Sequence, residues 1–315
     1  MKKFILSAAI IMAASTMFAQ QGPRTWAECD DCEVEQVTRL RHTGDNNVND
    51  IDQDGNNNLA SVNQFGTGNY SEVDQDGAAN QFGYGGSYNK AWVYQEGSNN
   101  YSDIDQLGDN NVNIVWQEGS MNSAVQLVGA GWAEGNYAKS NQIGMDNGSE
   151  QTQYYDNNWA NSNSIGNYND VIQYQSSGPV NQAAGSTADV LQVGDYNTVN
   201  QKQTGSFNVA TTEQFGNGNE SKETQSAGSY AYSGLWLTNT SYVYQNGMDN
   251  KNCLTQTEGT TGWNDSAVYQ YGNGNTSSVI QTANSLGSAG NYSTINQMGN
   301  SNMACVEQNS VGMNN

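Results

Sequence analysis

The sequence predicts an all-β fold, a two-sided parallel β-solenoid of about ten 22-residue rungs. Three observations carry that prediction. Glutamines recur on an eleven-residue beat, each beat sits in the same short unit, and the composition suits stacked amides better than an ordinary core.

The beat opens at Gln53, Gln64 and Gln75 and returns at Gln95, Gln106 and Gln117. It resumes at Gln142 and Gln153, with Ser164 in the slot before Gln175. It then runs through Gln192, Gln203, Gln214 and Gln225, and on to Gln245, Gln256, Gln270, Gln281, Gln297 and Gln308. His42 occupies a glutamine slot ahead of Gln53.

Around the beat the unit reads small, any, apolar, any, Gln, any, Gly, any, any, Asn. Ala60, Val62, Gln64, Gly66 and Asn69 are one copy; Ser102, Ile104, Gln106, Gly108 and Asn111 are another. Residues two apart share one face of a strand, so the small, apolar and glutamine positions point inward together. The turn comes next. Gly55, Gly66, Gly77, Gly97, Gly108, Gly119, Gly144, Gly194, Gly205, Gly216, Gly247, Gly272 and Gly299 stand two places after a glutamine. Asn58, Asn69, Asn80, Asn100, Asn111, Asn208, Asn219 and Asn275 stand five places after. Glycine accepts positive φ and asparagine tolerates the left-handed region, so the chain reverses there.

One strand cannot bury its single apolar residue alone. Stacking strands in parallel, ~4.8 Å apart, sets like on like. Apolar columns then form a thin interior, and the inward glutamines and asparagines form ladders. An unpaired buried amide costs about 1–3 kcal/mol, so the register is strict.

The residue after the glutamine alternates, as Asp54, Phe65, Asp76, Phe82, Glu96, Leu107, Glu118 and Leu127. An acidic corner and an apolar corner are expected to alternate, two strands to a rung. The apolar corner at Phe65 is the expected contact between neighbouring rods. Longer intervals, from Gln75 to Gln95 and from Gln225 to Gln245, hold the Gly-rich aromatic segments NQFGYGGSYNKAW and GSYAYSGLWLTN. GAGWAEGNY and ANSLGSAGNY enlarge two other turns. Two readings stay open: these loops touch a partner, or they drape over the solenoid wall.

Composition narrows the function. The 315 residues are 35% hydrophobic and 13% charged, with a mean hydropathy of −0.74 and two prolines. The formal charge of −21 excludes a nucleic-acid partner and docking on an anionic membrane. Residues 1–19, MKKFILSAAIIMAASTMFA, read as a secretory signal peptide: two lysines, a short apolar stretch and small residues before the cut. No later stretch reaches the ~20 apolar residues that membrane insertion needs. Residues 20–36 form an acidic, cysteine-bearing segment, and 37–315 the solenoid.

Reactive chemistry is thinly represented. Cys29 and Cys32 lack a second CxxC to complete a zinc site, since Cys253 and Cys305 stand alone. In an exported chain, disulfides or an inter-subunit link are favoured over zinc, with the pairing open. Asp50, Asp52 and Asp54 look like the start of a calcium loop, echoed by Asp74 and Asp76, but Ser61 stands where the closing glutamate belongs. They are weak metal candidates, and Asp52 should lie over Asp74 and Asp54 over Asp76. The single histidine fills a ladder slot, so no catalytic set forms around it. No catalytic residue and no cofactor is expected.

The unit resembles the curlin repeat, found in the secreted subunits of curli, the functional amyloid of bacterial biofilm matrix. Gln64, Gly66, Asn69 and Ser71 leading to Gln75 carry the resemblance, as do Gln203, Gly205, Asn208 and Ala210 leading to Gln214. It covers residues 38 to 308. The resemblance implies a curlin-like cross-β solenoid with two strands per turn, export through the periplasm and a dedicated outer-membrane secretion pore, and end-to-end homopolymers nucleated by a minor subunit. The expected product is an extracellular adhesive fibre at the cell surface. The chain departs from the pattern in its repeat number, its aromatic insertions and its acidic N-terminal segment. A monomeric surface adhesin, or a nucleator that holds a ligand with its aromatic loops, is the alternative.

Overall fold

The alternation of small, apolar and amide residues builds twenty-two strands among the described residues, and their pairing is seen in a computed structural model of the chain. The structure describes residues 36–76, 86–130, 134–177, 184–227, 238–259, 262–283 and 290–310. The expected segments 1–19 and 20–36, apart from Gln36, lie outside the described residues, as do Cys29, Cys32, Gly77, Asn80, Phe82 and most of the aromatic insertions.

The odd strands form one 11-stranded sheet: β1 (Val37–Thr43), β3 (Leu59–Thr67), β5 (Lys90–Ser98), β7 (Val112–Ser120), β9 (Tyr137–Met145), β11 (Trp159–Asn167), β13 (Thr187–Val193), β15 (Val209–Asn217), β17 (Asn239–Met248), β19 (Asn264–Tyr271) and β21 (Asn291–Met298). The even strands form the other: β2 (Val48–Gln53), β4 (Tyr70–Asp76), β6 (Tyr101–Leu107), β8 (Ser123–Ala130), β10 (Gly148–Tyr154), β12 (Asp170–Ser176), β14 (Thr198–Thr204), β16 (Glu220–Ser226), β18 (Lys251–Glu258), β20 (Thr276–Ala283) and β22 (Met303–Ser310). Every pairing is parallel, and each strand lies beside the strand two places away. This is the two-sided parallel β-solenoid, with eleven strands per sheet where about ten were expected.

Between the sheets runs a thin core. Ala60, Val62, Val73, Val93, Ile104 and Val115 form an apolar cluster toward the N-terminal end, and Val243, Leu254, Val268, Val279 and Ile295 form another toward the C-terminal end. The odd-to-even corner is uniform. Gly44, Gly66, Gly97, Gly119, Gly144, Gly166, Gly194, Gly216, Gly247, Gly272 and Gly299 stack there with φ between +102° and +135°. A Cβ on Gly144 would lie 1.9 Å from the carbonyl oxygen of Gly166, so the column admits only glycine. From His42 to Gln53, and from Gln297 to Gln308, each odd-to-even passage keeps the eleven-residue interval. Every insertion falls at the opposite, even-to-odd corner.

Four expectations are corrected. Gln95 stacks directly on Gln64, so Gln75 and Gln95 belong to consecutive strands and no extra beat intervenes at residue 82. The residue after the glutamine therefore does not alternate between fixed corners: Phe65, Glu96 and Glu118 share the odd sheet, while Asp76 pairs with Leu107 on the even one. The ladder position given to Asn80 is held by Asn89, whose backbone N–H donates to Asn58 Oδ1 at 3.0 Å. Gln126 is off the beat; Val128 fills the glutamine slot of β8, between Gln106 and Gln153. In addition, Lys90, Ala91 and Trp92 are strand residues rather than loop.

Candidate functional site

Parallel register sets each inward glutamine against the next copy. On the odd sheet Gln64 Nε2 donates to Gln95 Oε1, Gln95 to Gln117, and Gln117 to Gln142, each at 2.8 Å. Ser164 interrupts the column, donating to Gln192 Oε1 at 3.0 Å. From there Gln192, Gln214, Gln245, Gln270 and Gln297 continue it. On the even sheet Gln53, Gln75 and Gln106 form one run, and Gln153, Gln175, Gln203, Gln225, Gln256, Gln281 and Gln308 another. Except at the sheet ends, these amides are buried. Every rung bond runs one way, Nε2 toward the C-terminal neighbour.

The asparagines run the other way. At the odd-to-even corner Asn69, Asn100, Asn122, Asn147, Asn169, Asn197, Asn219, Asn250, Asn275 and Asn302 each donate Nδ2 and the backbone N–H to Oδ1 of the preceding asparagine. At the other corner Asn58, Asn89, Asn111, Asn136 and Asn158 are linked through backbone N–H donors. Asn208 and Asn239 continue that column beyond Ser186. Gly55, Gly108 and Gly205 turn the chain at this corner with positive φ.

A second glutamine ladder lies in the middle of the even sheet and was missed from the sequence. Gln126 donates to Gln151 at 2.8 Å, Gln151 to Gln173 at 2.8 Å, and Gln173 to Gln201 at 3.0 Å, in the column that holds Val73 and Ile104 nearer the N-terminus. It ends on Glu223, fully buried, which accepts from Gln201, Thr212, Ser221 and Ser241. Burial pushes this carboxyl above its ordinary value. The legible signal was the Gln-x-Gln doublet, present as Gln151/Gln153, Gln173/Gln175 and Gln201/Gln203.

The outward faces carry the remaining candidates. Asp52 pairs in register with Asp74, and Asp74 with Asp105; Asp50, Glu72 and Asp103 form the next column. Asp54 lies beside the Gln75 carbonyl, to which its N–H donates at 3.0 Å, and Asp76 ends β4. Among the described residues no group of three or more acidic, histidine or cysteine side chains is arranged to hold a metal ion. Burial and then the neighbouring carboxylates raise Asp74 above its usual range and push Asp105 up to about 6. Cys253 and Cys305 are exposed, free, and in one column with Ser278 between them. Two strand spacings are about 10 Å, beyond the ~7 Å reach of a disulfide, so the two are not bridged to each other. His42 sits beside Asn49 Nδ2 in its glutamine slot.

Both ends of the solenoid are open among the described residues. No strand pairs with the outer edges of β1 and β2, or of β21 and β22. Leu40 is 54% exposed on β1, whereas Val62 on β3, in the same column, is fully buried.

Residues 44–77 match the family model of the curlin associated repeat. No curated protein matches the chain. The matched span holds β2, β3 and β4 with their turns, three glutamine beats in all. The same strand-turn unit recurs in register as far as Gln308. The curlin repeat is a structural, non-enzymatic kind of unit.

Proposed function

We propose that the chain is a secreted structural subunit that polymerises end to end into a curli-like fibre. One observation carries the reading: four of the six inner columns stop at an open edge with a mate of like chemistry at the other end, the exceptions being His42 with Gln297 and Asn49 with Ala304. Continuing the register from one copy to the next would set Ile295 against Leu40, Val306 against Ile51 and Gln308 against Gln53. The ladder polarity agrees with this. Gln308 Nε2 bonds only the Tyr292 carbonyl, at 2.8 Å, which leaves its second N–H for the next glutamine in line. Edges of this kind are a liability that most proteins blunt.

Export through the periplasm and an outer-membrane pore, nucleation by a minor subunit, and an extracellular role in adhesion and matrix follow from the curlin resemblance. No catalytic residue is assigned. A monomeric adhesin is the second reading, favoured by the placement of every insertion at one corner.

Incubating purified mature chain tests the proposal. Thioflavin-positive fibres with a cross-β reflection near ~4.7 Å are expected. A chain that stays monomeric at high concentration would refute polymerisation and leave the adhesin.

A further inference from the structure

The outer faces of the two sheets carry charges at matching heights. Bonds across the core fix which outward residues stand back to back. Thr38 donates to Gln53 at 2.7 Å and Asn49 meets His42, so Arg39 backs onto Asp52 and Arg41 onto Asp50. Gln201 donates to the Asp189 carbonyl at 3.3 Å and Gln203 to the Thr187 carbonyl at 2.8 Å, which sets Lys202 behind Asp189. Thr212 donates to Glu223, which sets Lys222 behind Glu213. None of these eight side chains is ion-paired among the described residues.

From this we propose that a second copy of the chain stacks sheet on sheet, its even-strand face against the odd-strand face, parallel and in the same rung register. A translation along the sheet normal that leaves ~10 Å between the facing sheets then brings Arg39 over Asp52, Arg41 over Asp50, Asp189 over Lys202 and Glu213 over Lys222 of the second copy. All four contacts join opposite charges. On the rung of β7 and β8 the match is apolar. Gln126 donates to the Ile114 carbonyl at 3.2 Å, so Ile114 faces Leu127 and Trp116 faces Val125. Trp116 is 40% exposed in the single chain.

Register is specified by the Asp189 and Glu213 contacts, since one rung on Arg39 and Arg41 would meet Asp74 and Glu72 instead. A slip of one rung puts Thr224 or Tyr174 opposite Asp189, and Cys253 or Asn200 opposite Glu213; both ion pairs are lost. The contact joins two different faces of identical copies, so it does not close on itself and can add further copies. It uses sheet faces rather than strand edges and does not rest on end-to-end polymerisation.

Cysteine cross-linking tests it in the full mature chain with the four native cysteines replaced by serine. Glu213→Cys copies mixed with Lys222→Cys copies are expected to cross-link through a short bismaleimide several-fold faster than Glu213→Cys with Asn200→Cys, the one-rung slip. Equal or reversed yields would overturn the register. Glu213→Lys and Lys222→Glu should each weaken lateral association about ten-fold, and the double reversal should restore it. A double variant no better than the singles would overturn the ion pairing. Thioflavin growth, read on the same variants, should not change. If no fibres form at all, the polymerisation reading fails while cross-linking of the soluble chains still decides the lateral contact.

Discussion

Gln64 donates its amide to Gln95 at 2.8 Å across a gap of 31 residues, yet its own Oε1 receives no hydrogen bond. The preceding rung at that point is His42, which offers no amide. Gln153 and Gln126 have the same orphaned oxygen, and they stand above Val128 and Ile104. Each defect lies where an amide run begins, so the ladder accounts for its own exceptions.

Completing a broken rung should stabilise the coil. Val128→Gln gives Gln153 Oε1 a donor and extends the run that now stops at Gln106. A gain of about 1 kcal/mol, or roughly 2–4 °C in the thermal midpoint, is expected. Gln214→Leu does the reverse, stranding Gln192 Nε2 and Gln245 Oε1, and should cost about 2–4 kcal/mol in denaturant unfolding. If both variants melt like the parent, ladder bonding contributes nothing measurable.

Two glycines near one corner should respond very differently. At Gly144 a Cβ would lie 1.9 Å from backbone oxygen at φ +127°, and Gly144→Ala is expected to cost more than about 3 kcal/mol and to break the corner locally. Gly274 has φ +64°, and the nearest atom, the Ser301 hydroxyl, is 3.6 Å from a Cβ. Gly274→Ala should cost only ~1 kcal/mol, the left-handed penalty alone. Circular dichroism melts of the two variants separate these outcomes.

The beat made the parallel stack legible, because a period of two strands fixes which side chains meet. Its absolute count was less secure. Between Gln75 and Gln95 nine residues enter at a corner that tolerates them, and Gln81, inside the insertion, imitates a beat. Gln126 misled for a related reason: it is an inward amide, but one position along the inner face from the slot it seemed to fill. The Gln-x-Gln doublets mark both inward columns, and counting doublets rather than single glutamines would have found the second ladder. Matching the outer faces was beyond the linear pattern, since it depends on how the two sheets align across the core.

Glu223 takes the place of a glutamine at the end of that second ladder. Four donors surround it, so Glu223→Gln should be tolerated within ~1 kcal/mol, its amide accepting from Gln201 and meeting hydroxyls that can also accept. Glu223→Leu leaves the Thr212 and Ser241 hydroxyls without their acceptor, while Gln201 keeps the Asp189 carbonyl, and should cost about 3 kcal/mol or more. Equal stability of the glutamine and leucine variants would show that the buried network is neutral.

Acidification should strengthen the coil. Asp74, Asp103 and Asp105 stand in stacked columns, and Asp105 is pushed from 3.8 to about 6 by burial and then by Asp74, Asp103 and Asp76. A folded-state value above the unfolded one means the folded chain binds more protons between about pH 4 and 6. The contribution from Asp105 is therefore full near pH 4, falls as pH rises through that window, and is absent at pH 7. Asp105→Asn removes the charge at every pH. Its thermal midpoint should exceed the parent's at pH 7, and its drop between pH 4 and pH 7 should be smaller. An unchanged drop would mean that the column's repulsion is screened by solvent and has no influence on folding.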